Sequence, residues 1–137
     1  MRIKPQTFAT CLSCIDGRVA LPVTYYIKSK HRVAFVDYIT EAGMDGFIFQ
    51  PGALEGILRK ADFSFKNHHS SILYIVGHTQ CSGNVVDDEQ HRKDILGAVE
   101  RLRRLRPSVA VGGLFVNKEW KAVPVAPLAE QKKNSAG

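Results

Sequence analysis

No apolar run in the chain approaches the roughly 20 residues that a membrane-spanning helix requires. The opening Met-Arg-Ile-Lys-Pro has a charge but no apolar h-region, so no secretory leader is expected. Cysteine is scarce and odd in number, three among 137 residues. A secreted disulfide scaffold needs a denser, even set. The thiols are therefore expected to be buried, catalytic or metal-bound in a reducing, cytoplasmic setting. Acidic side chains number 13 against 19 Lys and Arg, a net charge of +6. That excess collects in Arg101, Arg103, Arg104 and Arg106 and in Lys132 and Lys133, without interleaved aromatics. It reads as a solvated helix face and a basic tail, so neither nucleic acid nor a membrane is an expected partner.

What is present is a core. Hydrophobic residues make up 45% of the chain, enough for one globular domain. Apolar runs predict strands at Gln6 to Ser13, Val33 to Ile39, Ser71 to Val76 (stopping at Gly77) and Val109 to Val116. Lys121 to Val125 is expected as a short edge strand, limited by Pro124 and Pro127. Helical patterns fall between them. One starts at Pro22 and runs through Tyr25, Tyr26 and Ile27. A second starts at Ala53, with Leu54, Ile57, Leu58 and Ala61 on one face. The third spans Asp87 to Arg106, with Ile95, Leu96, Val99, Leu102 and Leu105 as its apolar stripe. Strands apolar throughout and alternating with helices predict an α/β fold, a mainly parallel sheet flanked by helices. One domain is expected over residues 1–125, with 126–137 a flexible C-terminal tail.

In such sheets, sites form beyond the carboxyl ends of the strands. Two polar segments fall there: Cys14-Ile-Asp-Gly-Arg18 after the first strand and Gly77-His-Thr-Gln-Cys-Ser-Gly83 after the third. His78 and Cys81 are spaced so that a turn can aim both at one point, and adjacent parallel strands bring Cys14 to it. Two thiolates and one imidazole suit Zn2+, and three protein ligands leave a fourth position open. An open position is where zinc can bring the pKa of water to about 7. Asp16 can accept a hydrogen bond from that water, and Arg18 can orient Asp16 with its planar fork. Glycines 17, 77 and 83 read only as turn formers.

Cys11 reads differently. Side chains three apart along a strand face opposite ways. A thioredoxin-type pair should also lead straight into a helix, whereas Ile-Asp-Gly-Arg intervenes here. Cys11 is expected to be a core thiol. His68 and His69 are expected to be solvated at a helix end, and His31 and His91 on the surface. Tyr25, Tyr26, Phe35, Phe47, Phe49 and Phe63 are expected in the core or an interface. Trp120 is expected against the late strand or a partner subunit.

Cys14-Ile-Asp-Gly-Arg18 resembles the Cys-x-Asp-Ser-Arg motif of β-carbonic anhydrases, and Gly77 to Gly83 resembles their Gly-His-x-x-Cys-Gly segment. Glu41-Ala-Gly43, Ala53-Leu-Glu55 and Gly113-Leu-Phe-Val116 are weaker similarities within residues 7 to 125. The resemblance implies a compact zinc lyase that hydrates carbon dioxide reversibly to bicarbonate. Cys14, His78 and Cys81 would be its ligands and Asp16 and Arg18 its catalytic pair, in a homodimer or higher homo-oligomer. In some family members the aspartate itself takes the fourth zinc position. The sequence departs from the family at Gly17, where the motif has serine, and at Thr40-Glu41, where it has arginine and asparagine. The N-terminal helical arm common in the family is not expected, because the first strand begins almost at once. Three alternatives stay open: a structural zinc site closed by Cys11, an anion-binding relative, and hydrolysis of a sulfur analogue of carbon dioxide.

Overall fold

The computed structural model describes residues 4–128. Five strands form one sheet: β1 (Lys4–Ser13), β2 (Val33–Thr40), β3 (Ile72–His78), β4 (Ala110–Val116) and β5 (Ala122–Ala126). Their order is β2-β1-β3-β4-β5. The first four are parallel and β5 is antiparallel on β4. The α/β fold with a mainly parallel sheet is as expected. Four helices accompany it: α1 (Gly17–His31), α2 (Met44–Phe47), α3 (Ala53–Asn67) and α4 (Asp88–Leu105). Among the described residues no helix is long and apolar enough to cross a membrane.

The sheet divides two cores. On one face α1 packs Val19, Val23 and Ile27 against Ala9, Cys11, Tyr74 and Val116. On the other, α2, α3 and α4 cover Leu12, Ile75, Val111 and Phe115. Each fully buried large side chain, such as Phe115 or Ile95, contributes roughly 1.5–3 kcal/mol of hydrophobic stabilisation. From β1 the chain first steps outward to β2, then returns to place β3 on the other side. The reversal leaves a crevice at the carboxyl ends of β1 and β3, the usual place for a ligand in an open α/β sheet.

Several local expectations are corrected. The first helix begins at Gly17, five residues before Pro22, because the Asp16 carboxylate caps it by accepting from the Arg18 amide at 2.9 Å. Pro22 lies inside the helix and forfeits one bond, to the Arg18 carbonyl. β3 runs through Gly77 and ends on His78. The α4 stripe is carried by His91, Ile95, Ala98, Val99 and Leu102, while Leu96 and Leu105 are exposed. His91 is therefore core, not surface. His31 and His68 are also engaged: His31 Nε2 lies 2.7 Å from the Tyr74 hydroxyl, and His68 Nδ1 lies 2.6 Å from Asp37 Oδ2. Tyr25, Phe35, Phe49 and Phe63 are exposed, whereas Tyr26 and Phe47 pack on the cores. Ala126 is buried at the end of β5, and the expected tail from 129 on lies outside the described residues.

Candidate metal centre

Cys14 follows β1 directly, His78 closes β3, and Cys81 ends the turn after it. β1 and β3 are hydrogen-bonded neighbours, so their ends deliver these side chains to one point. All three residues are buried, and their ligand atoms lie within 4.8 Å of one another. The two sulfurs are 4.0 Å apart. Sulfurs bound to one tetrahedral zinc at about 2.3 Å each would sit about 3.8 Å apart, so the spacing suits a single ion. Cys11 is not in this group: it is fully buried in the α1-side core, where burial raises its thiol pKa far above the usual value. The alternation of β1 accounts for that separation. The intervening-loop reading does not, because α1 starts only three residues after Cys14.

His78 gives the clearest sign of a missing partner. Its Nδ1 is 2.7 Å from the Thr79 carbonyl. A carbonyl only accepts, so the proton is on Nδ1 and Nε2 carries a lone pair. Nε2 is buried with no hydrogen-bond partner. A buried acceptor left bare costs about 1–3 kcal/mol. A metal ion would remove that cost, and the other ring nitrogen is already fixed in the way metal-bound histidines usually are.

Asp16 and Arg18 form the fork pair the sequence suggested. Arg18 Nη2 donates to Asp16 Oδ2 at 2.7 Å, and Nε lies 3.1 and 3.2 Å from the two carboxylate oxygens. The hydrogen-bonded guanidinium holds the Asp16 pKa at about 2. The carboxylate is thus ionised across the neutral range and turned toward Arg18.

Three residues at the site escaped the sequence reading. The Gly43 amide donates to Cys14 Sγ at 3.3 Å. Gly43 has φ 63°, and a Cβ there would fall onto the Gly83 backbone. Gln80, left-handed at φ 56°, accepts from Arg18 Nη1 through its side-chain oxygen at 3.3 Å. Trp120 lies under the guanidinium, 4.5 Å from ring centroid to Cζ. It also packs, partly buried, on the α1-side core. The Ala-Gly turn was the available signal for Gly43; periodicity offered none for Gln80 or Trp120.

Comparison with known proteins bears on the family and the fold. A family model described as "Putative carbonic anhydrase" matches residues 4–126. A comparison with curated proteins finds no significant match. Among solved structures, the carbonic anhydrase from Glaciozyma antarctica is similar at a TM-score of 0.59 and 17% identity, over 92% of this chain and 85% of that one. The carbonic anhydrase from Streptococcus mutans is similar at 0.58 and 13%, over 91% and 85%. The β-carbonic anhydrase isoform I from Trichomonas vaginalis is similar at 0.53 and 14%, over 92% and 87%. At such identities these structures speak for the fold, and the family model spans nearly the whole described chain. The chain has the fold of these carbonic anhydrases and belongs to the family described as putative carbonic anhydrase.

Proposed function

We propose that the protein is a zinc-dependent carbonic anhydrase that hydrates carbon dioxide reversibly to bicarbonate. The observation that carries this reading is the convergence of Cys14 Sγ, Cys81 Sγ and the unpartnered Nε2 of His78 within 4.8 Å. Those three atoms would hold a zinc ion, and three protein ligands would leave a coordination position free. A bound zinc ion supplies Lewis acidity, which makes water a nucleophile near neutral pH.

The chain's own residues do the rest. The Thr79 carbonyl keeps the His78 proton on Nδ1, which leaves the Nε2 lone pair available to a metal. The Gly43 amide donates to Cys14 Sγ and would temper the charge this thiolate supplies to a bound ion. Two thiolates by themselves would leave the attacking water too basic. Asp16, kept ionised by Arg18, would accept a hydrogen bond from a water held beside it and so orient that water toward the substrate. Arg18 is itself fixed by Gln80 and Trp120. Asp16 and Arg18 are thereby the catalytic pair. A cytoplasmic setting accords with the three free thiols, and a homodimer is the assembly the family resemblance implies.

The deciding experiment is stopped-flow carbon dioxide hydration by purified protein of measured zinc content. Rapid hydration that scales with zinc supports the assignment. Inactivity of a fully loaded protein from pH 6 to 9 overturns it and leaves anion binding or a sulfur analogue as substrate.

A further inference from the structure

Asp45 and His91 take no part in that chemistry, yet they are the most deeply buried polar pair described here, at 1% and 0% side-chain exposure. His91 Nδ1 donates to Asp45 Oδ2 at 2.6 Å. His91 Nε2 is buried without a partner, a cost that a leucine or phenylalanine would not incur. Packing alone therefore does not explain the pair.

Its connections do. Asp45 Oδ1 accepts from Asn84 Nδ2 at 3.1 Å, and the same amide donates to Asp94 Oδ2 at 3.0 Å. One carboxylate thus joins the turn after β2, the turn after Cys81 and the first turns of α4. Glycines make the joint close. Gly43 meets Gly83 backbone to backbone, Gly46 abuts the Asn84 side chain, and Gly77 lies beneath Asp45. A Cβ on any of these four would collide. Gly77 is therefore no turn former but a strand residue over which a carboxylate sits. Each joined turn is tied to one thiol: Gly43 donates to Cys14 Sγ, and Gly83 is two residues along the chain from Cys81.

We propose that Asp45 and His91 are positioning residues, a buried clamp that docks the Gly83–Asn84 turn on the Gly43 turn and so holds Cys14 and Cys81 together. That the thiols receive a metal rests on the function proposed above; that the clamp holds them does not. Buried polar pairs of this kind trade stability for a fixed arrangement.

The test is cysteine alkylation by iodoacetamide in the full chain, treated with chelator and read residue by residue by peptide mass spectrometry. His91→Phe removes the donor to Asp45 and fills the space. Asn84→Ala cuts the link from the half-buried end of the clamp. In both, alkylation of Cys14 and Cys81 should rise by about tenfold or more through local opening. Cys11, in the opposite core, should not change. All three thiols accelerating together would reveal mere global loosening, and no change at Cys14 and Cys81 in a folded variant would equally overturn the clamp. Should His91→Phe fail to fold, Asn84→Ala decides. Zinc uptake by the unaltered chain is measured in parallel. Its failure would remove the metal reading and leave the alkylation result for the clamp intact.

Discussion

His78 is locked by its own neighbour: the Thr79 carbonyl, 2.7 Å from Nδ1, fixes both the tautomer and the tilt of the ring. With the sulfurs of Cys14 and Cys81 already 4.0 Å apart, the donor set is arranged without an ion. The energetic cost of assembling it falls on folding rather than on metal uptake.

Asp16→Asn should keep its zinc and lose on the order of a hundredfold or more in hydration rate. Asparagine still caps α1, so the helix survives and only the charge goes. Stopped-flow rates at matched zinc content check this. Full activity would remove Asp16 from the mechanism.

Cys11→Ala should leave zinc stoichiometry unchanged and cost about 1–2 kcal/mol in urea unfolding, the price of a small cavity in the α1-side core. A collapse in zinc affinity would instead revive a closed, four-ligand structural site.

Two glycines should respond in opposite ways. Gly43→Ala places a methyl on the Gly83 backbone and forces a non-glycine residue to φ 63°. A loss of about 3 kcal/mol is expected, with weakened metal binding. Gly17 has nothing within 4 Å of a new Cβ and opens α1. Gly17→Ala should be neutral or stabilise by roughly 0.5 kcal/mol. Thermal and urea melts of the two variants decide.

Asp62 accepts from Arg106 through both oxygens, at 2.7 and 2.6 Å, tying α3 to the end of α4. That pairing lowers the Asp62 pKa. A carboxyl depressed by folding stabilises above its unfolded pKa of about 3.9 and loses the contribution as pH falls through its lower folded value. Asp62→Asn should therefore cost about 0.5–1 kcal/mol at pH 7, given the partial exposure of both groups, with the difference shrinking below about pH 4. Urea melts of both proteins at pH 7 and pH 3 measure it.

The parallel core of the sheet was legible because β3 and β4 are apolar on both faces. The candidate donor residues were legible because they lie at or just beyond the carboxyl ends of β1 and β3. Pro22 misled, since proline favours a first turn, whereas the Asp16 cap starts α1 earlier and the helix tolerates one lost bond. Gly77 misled as a strand stop, because its small size serves the Asp45 carboxylate above it and not a turn. His91 had a usable signal: it lies four residues before Ile95, on the same stripe, and its polarity alone suggested the surface. Asp45 had none. Its burial depends on partners 39 and 46 residues away, which local pattern cannot reveal.

Cys14 and Cys81 are separated by 67 residues of chain and meet only because β1 and β3 pair. A nascent polypeptide shows a single thiol of this set until residue 81 has been added. The complete donor set is therefore a late product of folding, and a chain whose central strands have not joined has nothing with which to compete for scarce metal. Any ion that all three atoms hold would in turn act as a cross-link across the longest loop between them, slowing separation of the two halves of the sheet.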